Sequence, residues 1–295
     1  MTVPSAPRQA RGGEDSGSWL PVLVPVFAVL AVVAAVLGRW VPADRAEPAA
    51  AADGPQVIEN SLGMRFVAIP PGRFTMGTLA ADLPASRPLR TVTVAGFWFA
   101  QTEVTQQQWW AIMGYNPSAF PNPGKPVEQV SWYAAQQFIE KLNQKERSLG
   151  RRYRLPAEAE WEYAARAGRH SAYFFGDTAN MLAKYAWFGV SGGVGTRPVG
   201  QRAANPWGLY DIYGNVWEWM QDCWHDDYKG APQQAIAWQE RDCRRRVLRG
   251  GGWNSPASRL RSAARGSLEA DLDDMATGLR LVMEIQDNNK APGHR

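Results

Sequence analysis

Cysteine and histidine, the side chains with the broadest chemistry, are rare in this 295-residue sequence, which contains Cys223, Cys243, His170, His225 and His294. In an oxidising compartment the two thiols could form a disulfide that closes a loop of about twenty residues. They could instead remain separate buried thiols, or bind a metal together with His225, although no Cys-x-x-Cys pair supports a metal site. Because the polar segment between the cysteines has little else to hold it, we predict the disulfide Cys223–Cys243.

A second group of reactive side chains lies in residues 205–222, which read NPWGLYDIYGNVWEWMQD. The large rings require burial, the glycines admit backbone conformations closed to other residues, and no helical period is sustained. We therefore predict a packed, irregular loop rather than a helix. The acids Asp211 and Glu218 within it suggest that polar and ionic contacts hold the loop in place.

The composition indicates what kind of domain must position these residues. With 45% hydrophobic residues, 28 glycines and 14 tryptophans, the sequence favours a loop-rich α+β domain over a helical bundle. The net charge of +4 is modest, and we interpret the run Arg244–Arg246 as the solvated start of a strand. No nucleic-acid partner is expected.

Five segments are predicted along the chain. Residues 1–18 form a polar cytoplasmic tail, 19–41 a transmembrane signal anchor, 42–56 a linker, 57–285 the folded domain and 286–295 a disordered C-terminal tail. The anchor is predicted from the uncharged stretch between Leu20 and Leu37, which is long enough to span a bilayer and is followed by no clear cleavage site. We expect a single-pass membrane protein whose C-terminal domain is extracytoplasmic, in the periplasm or at the cell surface.

Hydrophobic patterns and capping residues predict the regular elements. Strands are predicted at Met64–Ile69, Arg73–Met76, Thr91–Val94, Phe97–Ala100, Arg246–Arg249, Leu260–Ala264 and Gly278–Val282. Helices are predicted to start at Thr105, where Gln108 completes a capping box, at Ser131 and at Pro156. The third helix carries three acids in its N-terminal half, where the helix dipole favours them: Glu158, Glu160 and Glu162.

Seven short motifs occur in order along the chain: Phe74–Gly77, Glu103–Thr105, Pro126–Trp132, Arg154–Glu162, Gly208–Trp219, Arg249–Gly251 and Gly278–Arg280. In this order and spacing the sequence resembles the formylglycine-generating enzyme family, whose members are also called sulfatase-modifying factors. The resemblance covers about Asn60 to Val282. It implies a C-type-lectin-like α+β domain with little regular secondary structure, in agreement with the composition.

The resemblance also implies which ligands formylglycine generation would require. Family members that convert a sulfatase cysteine to formylglycine hold copper with two cysteines shortly after the motif Arg249–Gly251, since thiolates suit Cu(I). Residues 252–260 of this chain read GWNSPASRL and contain no cysteine, so we expect no copper, no formylglycine-generating activity and assign no catalytic residue. Another branch, the sulfoxide synthases of ergothioneine biosynthesis, binds iron through several histidines, and the scattered histidines here lead us to expect no iron.

Calcium is the cofactor that the resemblance does imply. Family members bind it through side chains at the positions of Asp211 and Glu218 and through main-chain carbonyls at the positions of Gly214 and Val216, all of which are hard oxygen ligands. We expect a structural calcium ion at these four residues. The alternative is that Asp211 and Glu218 only accept hydrogen bonds from turn amides.

Two classes of function remain open. In the first, the domain is a non-catalytic binding or assembly module for another protein or a membrane complex. The candidate ligand-binding residues lie after the Arg-Gly-Gly motif and are Trp253, Asn254, Ser258, Arg259, Arg261 and Arg265. Arg261 and Arg265 could instead form internal ion pairs. In the second class, the domain is an oxidoreductase or other enzyme that modifies an extracytoplasmic protein with atypical ligands; the missing cysteines favour the first class.

Overall fold

The computed structural model describes residues 55–190 and 192–286. The predicted cytoplasmic tail and anchor, the linker up to residue 54 and the C-terminal tail after residue 286 lie outside the described residues. Within the described ranges, no helix combines the length and the apolar content that a membrane crossing requires. The anchor over residues 19–41 stays a prediction.

The described residues form three sheets, whose strands come from both ends of the domain. The strands are β1 Val57–Glu59, β2 Arg65–Ile69, β3 Gly72–Met76, β4 Arg90–Val94, β5 Phe97–Ala100, β6 Arg151–Arg154, β7 Trp217–Cys223, β8 Arg245–Arg249, β9 Gly266–Glu269, β10 Thr277–Gly278 and β11 Val282–Ile285. One sheet has the order β1-β2-β5-β11-β6, the second has the order β10-β7-β8-β9, and β3 pairs with β4. Because β11 lies between β5 and β6, antiparallel to both, the last strand completes the sheet that the first strands begin.

Four α-helices are present in the described part of the chain: α1 Gln106–Met113, α2 Trp132–Lys145, α3 Glu158–Arg166 and α4 Leu182–Tyr185. The predicted capping box of α1 is confirmed, since the Thr105 side chain accepts from Gln108 N and the Gln108 side chain accepts from Thr105 N. α2 follows the N-cap Ser131 and buries the predicted face, Trp132, Ala135, Phe138, Ile139 and Leu142. The domain is thus a mixed α and β fold with few helices.

Two apolar clusters fill the space between sheets and helices. One includes Trp161 of α3 and Phe99 of β5, and the other includes Trp109 of α1 and Trp219 of β7. In the second cluster, the Trp109 ring stacks on Phe138 with 5.2 Å between ring centroids. Both clusters also contain residues from irregular segments, so the burial of large rings holds loops that have few ladder hydrogen bonds.

Two predictions differ from the observed strands. The irregular loop predicted over 205–222 ends before Trp217, where β7 begins and pairs with β8 and β10. The strand predicted at Gly278–Val282 is divided: Gly278 pairs with β7, whereas Val282 pairs with β5 and β6. The residues between them cross from one sheet to the other.

The strand predicted at Leu260–Ala264 is wrong. A 3-10 turn occupies Ala257–Leu260, and the neighbouring strand β9 begins only at Gly266. The carbonyls of Ser262 and Ala264 accept hydrogen bonds from the Arg249 side chain, 2.8 Å each, instead of from a neighbouring strand. A long-range side-chain contact therefore takes the place of strand pairing.

Candidate functional site

The candidate surface is formed by the turn and loop that follow β8. Gly250 and Gly251 have φ angles of 95° and 79°, which L side chains rarely adopt. A Cβ atom added to Gly251 would lie 2.6 Å from Leu260 Cδ1, so any larger residue there would force the buried Leu260 side chain to move. Beyond it, Ser255 Oγ accepts a hydrogen bond of 3.0 Å from Gly252 N, which fixes the start of the loop.

Trp253, which is predicted to contact a ligand, points into the domain. The residue is 7% exposed, its Nε1 donates to the Met275 carbonyl at 3.1 Å, and its ring packs edge-on against Phe120 with 5.5 Å between centroids. Trp253 therefore supports the loop from its inner side instead of forming the outer surface.

Asn254, Ser258 and Arg259 are exposed and form the accessible part of the predicted surface. The Arg259 guanidinium lies 5.9 Å from the centroid of the Trp217 ring, so an aromatic ring flanks its charge. Met275, whose carbonyl accepts from Trp253, is also exposed. The surface thus offers an amide, a hydroxyl, a guanidinium and a thioether to a partner.

The two other arginines of the predicted surface are engaged in ion pairs. Arg265 is only 3% exposed, and its Nε and Nη2 donate to the Glu158 carboxylate at 2.6 and 3.0 Å. Arg261 pairs with Asp82 at the protein surface. The internal ion pair left open for Arg265 is therefore what the structure contains, and this residue does not belong to the exposed surface.

A buried ionic network lies beneath the loop and connects it to α3. Arg249 pairs with Glu162, and its Nε lies 3.0 Å from Glu158 Oε1, the carboxylate that also binds Arg265. Burial alone would raise the pKa of Glu162, but the guanidiniums of Arg166 and Arg249 hold the pKa below its ordinary value. The helix dipole favours acids at the start of α3. The guanidiniums of these arginines compensate the charges of the acids that are buried.

The predicted disulfide is confirmed. Cys223 and Cys243 are bonded, with 5.5 Å between their Cα atoms. Since the sequence contains no other cysteine, the chain retains no free thiol. Asp222 also holds the closed loop, because its Oδ1 accepts from Trp238 N at 2.8 Å. Burial, together with the neighbouring Glu158 charge, raises the pKa of Asp222 to about 7.

The two acids of the predicted calcium loop have different surroundings. Both oxygens of Glu218 accept hydrogen bonds: Arg280 Nε and Nη2 donate to Oε1 at 2.9 and 2.8 Å, and Trp161 Nε1 donates to Oε2 at 2.7 Å. Asp211 Oδ2 accepts from Gly200 N at 2.6 Å, but Asp211 Oδ1 has no hydrogen-bond partner among the described residues. Glu218 is thus held by side-chain donors and not by the turn amides of the alternative. Asp211 does accept one main-chain amide, and its other oxygen has no donor among the described residues.

A third acid, Glu103, belongs to the same group, although the short motif before α1 does not mark it as a ligand. Glu103 is 1% exposed, and neither of its carboxylate oxygens has a hydrogen-bond partner in the described ranges. Burial, with the Asp211 charge as the next cause, raises the pKa of Glu103. Burial likewise raises the pKa of Asp211 to about 6.

Unpaired buried carboxylate oxygens are suitable donors for a hard cation. In the part of the chain that the structure describes, no group of three or more His, Cys, Asp or Glu side chains is arranged to hold a metal ion. Water or main-chain oxygens, such as the predicted carbonyls of Gly214 and Val216, would have to complete the shell. Calcium accepts such mixed oxygen shells, so the residues present fit this ion.

A mixed α and β domain with few helices, a double-glycine turn after β8 and arginine–glutamate pairs behind it agree with the fold expected for the formylglycine-generating enzyme family. Residues 55–285 match the family described as "Sulfatase-modifying factor enzyme 1-like domain", and the chain belongs to this family.

Relatives in the family carry different names. A formylglycine-generating enzyme of Thermomonospora curvata is 33% identical over 211 residues, with coverage of 65% of this chain and 66% of the enzyme. Chaperone protein LppX of Paenibacillus barcinonensis is 30% identical over 240 residues, with coverage of 65% of this chain and 82% of the chaperone. The solved structure of PvdO from Pseudomonas aeruginosa is 32% identical with a TM-score of 0.69, covering 79% of this chain and 100% of PvdO. Family membership alone therefore assigns no activity.

Proposed function

We propose that the domain is a non-catalytic binding module that recognises another protein outside the cytoplasm. The observation that carries the proposal is the disulfide, which joins both cysteines of the chain and leaves no thiolate to bind copper. Formylglycine generation, as the family resemblance implies, uses copper held by two cysteines after the Arg-Gly-Gly motif. Without these soft donors, the chain has no ligands for that copper chemistry.

The residues that follow the motif do not replace those thiolates. The Ser255 hydroxyl is bonded to Gly252 N, and the neutral side chains of Asn254 and Ser258 bind a soft monovalent ion poorly. The same exposed groups suit recognition, because an amide, a hydroxyl and the Arg259 guanidinium can each form hydrogen bonds with a polypeptide.

The relatives support a protein as the partner. One similar protein is named a chaperone and another a formylglycine-generating enzyme. A surface that faces a polypeptide is compatible with both names. The chain would therefore retain a polypeptide-facing surface without the copper chemistry.

The disulfide also supports an extracytoplasmic location, since such bonds persist mainly in oxidising compartments. With the anchor predicted over residues 19–41, the domain would be held at the outer face of a membrane. Carbonate and high-salt washes should then leave the full-length chain in the membrane pellet. A soluble mature form that begins near Ala43 would exclude the anchor.

The absence of catalysis is tested with a cysteine-containing sulfatase peptide, copper, reductant and oxygen, with mass spectrometry to detect the aldehyde. We expect no aldehyde from the purified chain, whereas a formylglycine-generating enzyme in the same assay should produce it. Aldehyde formation that is lost in Cys223→Ser or Cys243→Ser would refute the proposal and favour the enzyme alternative.

Partner binding is tested by pull-down from membranes after mild detergent extraction. Arg259→Glu reverses the charge of the exposed surface, and Arg147→Glu is a matched control at an exposed arginine beyond α2. We expect Arg259→Glu to reduce recovery of the co-purifying protein about fivefold or more, as for an interface residue that contributes above 1 kcal/mol, and Arg147→Glu to have no effect. Equal recovery with the wild type, Arg259→Glu and Arg147→Glu would exclude residues 252–260 as the binding surface.

A further inference from the structure

The segment that joins α2 to β6 carries several unpaired positive charges. Lys141 and Lys145 lie one helical turn apart at the end of α2, Arg147 follows the helix, and Arg152 belongs to β6. All four side chains are exposed, and none of them forms an ion pair with another described residue. We call residues 141–152 the basic tip.

The acids beside the basic tip do not neutralise it. Glu146 is 1% exposed; it accepts from Ser61 N at 2.8 Å and lies 3.9 Å from Arg151. Glu140 and Glu59 are the exposed acids beside it. With Arg151 included, five cations face these three acids, so the tip keeps an excess of positive charge. An anionic partner would compensate this excess.

An exposed leucine lies at the turn within the basic tip. Leu149 is 55% exposed and ends the 3-10 turn Arg147–Leu149, after which Gly150, with a φ angle of 64°, leads into β6. Lysine and arginine around an exposed leucine is a combination that binds the surface of a bilayer, where cations contact anionic lipid and the apolar side chain enters the interface. An acidic polypeptide would account for the cations but would leave Leu149 without a role.

The start of the folded domain lies beside the basic tip. The Glu59 carbonyl accepts a hydrogen bond of 3.1 Å from Arg151 Nη1, and Ser61 is bonded to Glu146. Pro55, the first residue of the described domain, precedes Glu59 by four positions, which span at most about 14 Å. With an anchor over residues 19–41, this entry segment is the part of the domain closest along the chain to the bilayer.

We propose that the basic tip binds the anionic phospholipid headgroups of the membrane surface, with Leu149 entering the boundary between headgroups and acyl chains. The proposal rests on the membrane location in the proposed function, but not on the protein partner or on the lack of catalysis. Each lysine or arginine near an anionic surface strengthens binding about fivefold. The contact would hold the domain in one orientation on the membrane, which a tether by itself does not do.

A fluorophore on the tip can report this contact in the full-length chain. The chain is reconstituted into phosphatidylcholine vesicles with or without phosphatidylglycerol, and the exposed position is labelled through Ser148→Cys. Both native cysteines are bonded to each other, so the introduced thiol is the one that reacts. Quenching of the label by lipid with a spin label on its headgroup measures how often the tip lies on the surface.

Two triple variants remove the same charge from different places. Both replace exposed lysine or arginine with glutamine, which keeps a similar helix propensity. The tip variant is Lys141→Gln, Lys145→Gln, Arg152→Gln, and the matched control is Arg73→Gln, Arg169→Gln, Lys184→Gln.

We expect quenching of the wild type and the control variant in vesicles that contain phosphatidylglycerol, and little in phosphatidylcholine alone. In the tip variant the ratio of bound to unbound tip should fall at least tenfold, because three charges that each contribute about fivefold are lost. Salt at about 1 M, where the Debye length is about 3 Å, should weaken quenching of the wild type in the same way.

Equal quenching with and without phosphatidylglycerol, or in the wild type and the tip variant, would overturn the proposal. A failed anchor is recognised separately by flotation. In that event the chain should still float with the anionic vesicles at low salt and leave them at high salt, and failure to float at low salt would exclude the lipid contact as well. Recovery of the protein partner in detergent does not involve a bilayer, so the two proposals fail independently.

Discussion

Removal of the disulfide should destabilise the domain by an amount that follows from its loop length. Cys223 and Cys243 are 20 positions apart, and closure of a loop of that length in the unfolded chain corresponds to about 3 kcal/mol in the chain-entropy model. In the folded state the loop keeps other contacts, because Trp238 N donates to Asp222 and the His225 ring stacks on Trp238 with 3.5 Å between centroids. The folded structure should therefore survive, and the effect should arise in the unfolded state.

Urea denaturation followed by tryptophan fluorescence measures this difference. Cys243→Ser is the better variant, because Cys243 is partly exposed whereas Cys223 is buried. With an m-value of about 3 kcal/mol/M, the urea midpoint should fall by about 1 M. A reducing agent should lower the wild-type midpoint to the same extent and leave Cys243→Ser unchanged. If neither the variant nor the reducing agent moves the midpoint, the loop-closure reasoning is refuted.

Three further changes test the buried network and the turn. Arg249→Met should lower the free energy of unfolding by about 3 to 5 kcal/mol, because buried Glu162 loses a guanidinium; a loss below about 1 kcal/mol in urea would contradict this. Gly251→Ala should lower the melting temperature more than Gly168→Ala, since both have positive φ but only Gly251 meets a neighbour; equal losses would argue against the close packing. Burial raises the pKa of Asp222 to about 7, so its contribution to stability is fully present below about pH 4 and is lost as the pH rises through 7. Asp222→Asn should remove that decline, and identical urea midpoint profiles between pH 5 and 8 would contradict it.

Local patterns account for the parts of the fold that the sequence predicts well. The capping box joins Thr105 and Gln108, three positions apart, and the buried face of α2 repeats at the helical period. The seven motifs predict the family, which the match over residues 55–285 confirms. In each case the information lies within a few neighbouring residues, or in the order of short motifs, and can be found without a structure.

The ionic sites depend on pairs that the sequence does not bring together. Arg265 and Glu158 are 107 positions apart, and Arg280 and Glu218 are 62 positions apart. Arginines are mostly exposed unless a carboxylate pairs with them, and the sequence does not show which carboxylate lies near Arg265. The burial of Arg265 is therefore not evident from the sequence. Glu103 is a more extreme case: neither of its carboxylate oxygens has a hydrogen-bond partner among the described residues, and its burial follows only from the packing around it.

The buried side chains explain how the loop after β8 could change its chemistry and keep its shape. Arg249 binds the carbonyls of Ser262 and Ala264 from beneath, Gly251 packs closely within the turn, and Trp253 donates to a main-chain carbonyl on the inner side. All of these groups face the interior, so the backbone of the loop does not depend on its exposed side chains. Substitution at exposed positions such as Asn254, Ser258 and Arg259 leaves these supports in place. The proposed binding role therefore requires only changes of exposed side chains on this framework, and not a change of the backbone that presents them.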